Sequence, residues 1–275
     1  MRSCVVRMTS SGFLTNARRE RHHLSRGAAL KTVTEAHHFI TKLGIVMRTP
    51  HPYLPSLFTA AGGRPFRAQA RGFGQWPEHA WWWDMELAKA RDIILTRVLL
   101  GRTTFVSNNC WAALDAAVRA TRIEDLDSNQ RAIIRLLGKH GSMYSDRLRT
   151  ELGLGSATDA RQFQKARCKL ENVGLVTNRP RVVGAHKHVA ELQLWITRFP
   201  KPLCNVRSFG PFVWKAIRAG EPVPAKEVLR WFAWPKADVD SALRSLVAEG
   251  YLSDRSGILV TTRPPRLDSN LGGSK

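Results

Sequence analysis

Between residues 129 and 173, apolar positions recur at helical spacing in three short segments, each closed by a turn signal. In the first, 129–139, Ile133, Ile134, Leu136 and Leu137 share a stripe, and His140-Gly141 supplies a glycine stop. A second short helix is expected over 144–152. A turn at 153–155 then leads to a third helix, with Ser156 or Thr158 as its cap. Phe163, Ala166, Leu170 and Val173 give that third helix an inward face. Gly174 breaks it and 175–178 reads as a strand. A loop from Arg179-Pro180-Arg181 through His186-Lys187-His188 follows, and 191–196 returns as a second strand. Three helices followed by a hairpin describe a winged helix, with the loop as its wing.

The pattern begins again after Pro200-Lys201-Pro202, with helices over 212–219, 225–233 and 236–249 and a short hairpin over 251–253 and 257–261. In its third helix Val239, Leu243, Leu246 and Val247 form the buried stripe, Pro235 sits in a favourable first-turn position and Gly250 is the stop. The N-terminal half is less regular. A helix over 30–43 stops at Gly44, and an extended piece follows at 45–47. A short helix is expected at 56–61, and a basic glycine-rich loop spans 62–74. An amphipathic helix over 85–100, a strand at 103–106 and a helix at 110–120 complete this half. The expected fold class is mainly α with small β-hairpins, an α+β chain of tandem winged-helix units. The expected organisation is a basic disordered tail at 1–30, a helical tryptophan-rich domain at 31–126, winged helices at 127–203 and 204–263, and a flexible tail at 264–275.

Charge narrows the function. A formal net charge of +21 over 275 residues exceeds what solubility asks for and implies a polyanionic partner. No apolar run approaches the roughly 18 residues that would span a bilayer, so a membrane is set aside and a cytoplasmic, nucleoid-associated protein is expected. Duplex DNA, damaged DNA included, ranks ahead of RNA as the partner, and the oligomeric state stays open. The four cysteines, Cys4, Cys110, Cys168 and Cys204, form no C-x-x-C pair, so neither a zinc ribbon nor a disulfide framework is suggested. The histidine pairs 22/23, 37/38 and 186/188 lack further ligands at metal-binding spacing, and no cofactor or metal is expected.

The outward face of the third helix presents Arg161, Gln162, Lys165 and Lys169, donors suited to phosphate oxygens and purine edges. With Arg179, Arg181, His186, Lys187 and His188 of the wing, these are the DNA-binding candidates. A charged row also serves as a plain solvated face. The local balance, 13 Lys or Arg against 5 Asp or Glu across 128–200, favours nucleic acid. Residues 211–263 hold 8 basic and 6 acidic side chains, so the last unit is expected to orient or stabilise its neighbour. Trp81, Trp82 and Trp83 either stack on extruded bases or glue a loop to a helical core. Asp84 beside them is a candidate catalytic carboxylate, or simply favours the start of a helix.

Phe39 to Met47 followed by Pro55-Ser56-Leu57, the Trp81-Trp82-Trp83-Asp84 run, Leu99-Leu100-Gly101-Arg102 with Phe105-Val106-Ser107, and the two winged helices together carry a family resemblance. Over roughly residues 31–262 the chain resembles the winged-helix DNA glycosylases of the AlkZ/YcaQ type that unhook interstrand crosslinks, and more closely their uncharacterised relatives. The resemblance implies a string of winged helices bent around duplex DNA and hydrolysis of the N-glycosidic bond of an alkylated base. It also implies a Gln-x-Gln or Gln-x-Asp pair near the N-terminus, and no such pair precedes residue 130. Gln162-Phe163-Gln164 matches the letters, but helical residues two apart diverge and do not grip one water. Three readings follow: a DNA-binding relative without glycosylase chemistry, an active glycosylase that uses Asp84 or another divergent group, and a transcription regulator or RNA- or ribosome-associated factor.

Overall fold

The computed structural model describes residues 15–25, 27–65, 74–122, 126–183 and 187–266. After α1 (Asn16–Arg21), one order of elements occurs three times: helix, short strand, helix, helix, hairpin. The first round is α2 (Val33–Leu43), β1 (Ile45–Met47), α3 (Leu57–Ala60), a two-residue pairing of β2 (Arg64–Pro65) with β3 (Gly74–Gln75), α4 (Trp83–Leu87), β4 (Ile93–Thr96) and β5 (Thr104–Ser107). After α5 (Trp111–Ala120) the second round runs α6 (Ser128–His140), β6 (Ser142–Tyr144), α7 (Ser145–Glu151), α8 (Ala157–Asn172), β7 (Val176–Val183), β8 (Lys187–Leu194) and the short α9 (Trp195–Arg198). The third is α10 (Gly210–Gly220), β9 (Val223–Pro224), α11 (Ala225–Val228), α12 (Lys236–Ala248), β10 (Leu252–Arg255) and β11 (Ile258–Thr261). In every round the first strand pairs antiparallel with the last, giving sheet orders β1-β5-β4, β6-β8-β7 and β9-β11-β10. The fold is α+β, a tandem of winged-helix units, and the described residues hold three of them.

The N-terminal region, expected to be mainly helical with extended pieces at 45–47 and 103–106, is built around a three-stranded sheet. All residues of β1, β4 and β5 are buried. Ile45, Met47, Ile94 and Val106 enter the core shared with the other two units. Val46, Ile93, Leu95 and Phe105, on the opposite face, join Phe39 and Ile40 of α2 and Trp83 and Leu87 of α4. A strand covered on both sides reads as an unbroken apolar run instead of an alternation. This is why 85–100 read as one long helix, whereas α4 has only five residues and the β-branched Ile93-Ile94 begins a strand.

The units are locked together by buried polar links. Asp115 of α5, fully buried, accepts from Arg119 Nε at 2.8 Å, from the Trp195 indole at 2.7 Å and from the Leu203 backbone N–H at 2.8 Å. The Trp234 indole donates to the Val173 carbonyl at 3.2 Å, and the Leu100 N–H to the Trp231 carbonyl at 2.6 Å. Gly174, at φ +85°, ends α8 against α5, where a Cβ would sit 2.7 Å from Val118 Cγ2. Only glycine combines that backbone with that approach.

Residues 15–25, expected within a disordered tail, are folded onto the first and third units. Arg18 is buried, donates to the Pro52 carbonyl and lies 5.3 Å from the Tyr53 ring centre. Arg21 donates to the Glu221 carbonyl at 2.7 Å. His22 Nε2 lies 2.9 Å from the Ala219 carbonyl, which only accepts, so the neutral ring carries its proton there. His51, nearby in the first unit, accepts at Nδ1 from the N–H groups of Tyr53 (3.1 Å) and Leu54 (3.0 Å).

Burial pushes both histidines down from 6.5 to about 4, with the positive field of Arg18 adding to the shift at each. A base whose folded pKa is depressed binds more protons when unfolded between these two values. Its contribution is therefore complete above about pH 6.5 and is lost as pH falls toward 4. We expect the urea midpoint to drop between pH 7.5 and pH 4.5, and less so in a His22→Gln variant. A pH dependence identical in the variant contradicts this assignment.

Candidate nucleic-acid interface

α8 shows how a short stretch of sequence builds a binding face. The Ser156 hydroxyl accepts from the Asp159 N–H and the Asp159 carboxylate accepts from the Ser156 N–H, a reciprocal cap that fixes where the helix starts. Phe163, Ala166 and Leu170 are buried, and Val173 follows them at the helix end. This inward face leaves Arg161, Gln162, Lys165 and Lys169 exposed on the other side. Gln164 is exposed as well, and its amide lies 3.1 Å from Cys168 Sγ, so Gln162 and Gln164 form no joint site.

The C-terminal end of α8 is occupied by the first unit. Arg97, in the turn between β4 and β5, donates to the Gly101 carbonyl at 2.9 Å and approaches Glu171 at 3.5 Å. Glu171 is 1% exposed and also accepts from the Asn178 amide at 3.1 Å. Burial raises its carboxyl above the ordinary range against the pull of Arg167 and Arg97. Arg161, Gln162 and Lys165 thus sit on the first turns of the helix, the part a helix-turn-helix unit presents to base edges.

The wing differs from expectation. β7 and β8 pair from Val176↔Leu194 to Val183↔Lys187, so Arg179 and Arg181 lie in a strand, not in a loop. Two residues apart, they share one face. Arg179 Nε donates to the Ala88 carbonyl at 2.9 Å, and Arg181 Nε pairs with Glu191 Oε2 at 2.8 Å. Both engage protein, and Arg179 ties the hairpin to the first unit. His186 lies outside the described residues, as do the side chains of Lys187 and His188, whose backbones belong to β8.

The tryptophan run is divided. Trp83 is 4% exposed and packs into the second core, with His79 edge-on at 5.3 Å, whereas Trp81 and Trp82 are 56% and 54% exposed. Asp84 stands in the first turn of α4, with Oδ1 accepting from the Met85 N–H at 3.1 Å and Oδ2 2.9 Å from Arg48 Nε. Arg48 in turn lies 5.3 Å from the Trp76 ring centre. Asp84, Arg48, Thr96, Arg97 and Asn178 line a cleft of about 210 Å³ between the first unit and β7. The Thr96 hydroxyl there is buried without a hydrogen-bond partner.

Sequence reasoning missed Arg48, Thr96, Arg97 and Glu171. The one signal available was a Thr-Arg pair interrupting the apolar run at 93–100. Among the described residues no group of three or more His, Cys, Asp or Glu is placed to hold a metal ion, and no helix is long and apolar enough to cross a membrane.

Among solved structures the chain is similar to the DNA glycosylase AlkZ of Streptomyces sahachiroi, at 12% identity and a TM-score of 0.53, over 89% of this chain and 68% of that one. At that identity the likeness is one of fold. No curated protein sequence matches. Residues 30–188 match the model of the AlkZ-related family, the first two winged-helix units almost whole. With more than half of its length inside that match, the chain belongs to the AlkZ-related family.

Proposed function

We propose that this protein binds duplex DNA through the outward face of α8 and does so without base-excision chemistry. The observation that carries the reading is the division of that helix: Phe163, Ala166 and Leu170 are buried, while Arg161, Gln162 and Lys165 are exposed on the other side. A net charge of +21 and a fold shared with a DNA glycosylase point the same way. Lys169 lies on the same side, closer to the first unit. Arg179 and Arg181, already engaged by protein, serve the hairpin more than the phosphates.

On the chemical side, both Asp84 oxygens are taken up by Met85 and Arg48. Gln162 and Gln164 stand on an open helix surface. A general base must reach the water it activates, whereas among the described residues Asp84 is held by Met85 and Arg48 and the Gln164 amide lies against Cys168.

One observation favours the active-glycosylase reading. Asp84 lines a cleft of about 210 Å³ together with the unpartnered Thr96 hydroxyl, and excision chemistry needs a pocket for a base. Incubation with duplex DNA carrying N-alkylated purines, scored by strand scission after alkali, separates the two. We expect no abasic sites from the wild type. Release by the wild type that is lost in Asp84→Asn would place the chemistry in this cleft and refute the non-catalytic reading.

A further inference from the structure

Arg131, Arg135 and Lys139 follow one another at four-residue intervals along α6, so they form one ridge on the side of the helix opposite the buried Ile133 and Leu137. All three are exposed, and α6 carries no aspartate or glutamate to offset them. Among the described residues none of the three has an ion pair or a side-chain hydrogen bond. Other exposed helix cations are placed differently: Lys89, Arg147, Arg230 and Arg244 each meet an acid three or four residues away, at 2.7 to 3.3 Å. Like charges one turn apart cost a helix stability, so an unrelieved row stands against its own repulsion. The same spacing, in Arg161, Lys165 and Lys169, marks the outward face of α8. Gly138 lies on the ridge between Arg135 and Lys139 and is exposed. A Cβ there would meet only Leu194 Cδ1 at 3.9 Å, an ordinary contact, so packing does not require a glycine that weakens the helix relative to alanine. Without a side chain at 138, the helix surface is bare to close approach from outside.

We infer that the α6 ridge binds the phosphate backbone of a second DNA duplex, so that one molecule holds two duplex segments. Because this rests on the duplex-binding reading of α8, whose chemistry the ridge repeats, single-duplex binding is measured beside it. In a helix-turn-helix unit the recognition helix and the helix before it meet the duplex, here α8 and α7. α6 stands outside that pair, and its ridge points away from the core that Ile133 and Leu137 share with Phe163, Ala166 and Leu170. From Arg131 to Lys139 the ridge runs about 12 Å, the axial length of roughly three or four phosphates on one strand. Contacts to phosphates alone carry no base readout, so the second segment is held whatever its sequence.

The test uses the full chain, one duplex fixed to beads and a second, fluorescent duplex of the same sequence in solution, with single-duplex affinity followed by anisotropy. The wild type should carry the free duplex onto the beads. Arg131→Glu combined with Arg135→Glu should cut that capture by about tenfold or more while single-duplex affinity stays within about twofold. The melting temperature should hold or rise, because a glutamate at 135 stands one turn before Lys139, a favourable pairing. Arg131→Lys with Arg135→Lys should retain capture, and Arg161→Ala with Lys165→Ala should weaken single-duplex binding and capture together. Single-duplex binding without capture, capture that survives the charge reversal, or equal loss of capture and single-duplex affinity in that variant overturns this inference alone; the last result would make the ridge part of the α8 interface. Wild-type retention on immobilised poly-glutamate in place of the second duplex, lost on charge reversal, would assign the ridge to an acidic protein and overturn it as well. Binding of no duplex at all removes the α8 reading along with it.

Discussion

Replacing Arg161 and Lys165 together with alanine should weaken duplex binding by one to two orders of magnitude and flatten the dependence of log Kobs on log salt by about two. Both side chains are exposed on α8, and neither takes part in the cap or the core. Their loss should leave the melting temperature unchanged, which separates a binding defect from a folding one. The counterpart in the third unit behaves differently. α12 carries Asp238 in its first turn and an Asp240–Arg244 pair at 3.3 Å, so negative charge faces the position phosphates would occupy. Neutralising Asp238 and Asp240 with asparagine should leave affinity unchanged or raise it. Equal losses from the two double variants would mean that the wrong unit has been placed on the DNA.

The largest effect on stability should come from Asp115→Ala. The carboxylate is fully buried and satisfies three donors at once, the Arg119 guanidinium, the Trp195 indole and the Leu203 N–H. Removing it strands a largely buried cation, since the Arg119 side chain is 14% exposed, and leaves two polar N–H groups without partners. Breaking one side of a buried pair typically costs about 3–5 kcal/mol. Urea unfolding should show that loss as a lowered midpoint. Asp115→Asn keeps an acceptor for the indole and should fall between the two. A cost under about 1 kcal/mol for the alanine variant, within the usual range for surface changes, would show that the node is not what joins α5 to the segments after it.

How far the chain can be read without coordinates depends on how many faces of an element are buried. α8 was legible almost to the residue, because one face is core, the other is water, and Ser156 marks its start. In the second and third winged helices α6 and α12 likewise carry one buried stripe each, with Gly141 and Gly250 at their stops, whereas α10 is buried almost all round. In the first unit, β1 and β5 fall where extended pieces were expected at 45–47 and 103–106, but β4 was hidden, because a strand that is core on both faces shows no alternation in Ile93-Ile94-Leu95. Its one-turn helices α3 and α4 are too short to display a period.

Pairings across long separations were also invisible. Arg48 meets Asp84, Arg179 meets Ala88 and Arg21 meets Glu221, and in each case composition indicates a charge without indicating its partner. The arginines of the N-terminal segment illustrate the cost of that gap. Arg18 and Arg21 counted as members of a basic tail, yet both anchor it to the fold. Of the tryptophan run, Trp83 packs into the core, while Trp81 and Trp82 are exposed.

The measurement that tests the central claim most directly is the affinity of the wild-type chain for a labelled duplex across a series of salt concentrations. If α8 and its flanking cations cover about six phosphates, log Kobs should fall with log salt at a slope near −5, on the order of a thousandfold between 50 and 200 mM. A slope near zero, or no measurable binding at the lowest salt, would contradict a DNA interface on this protein.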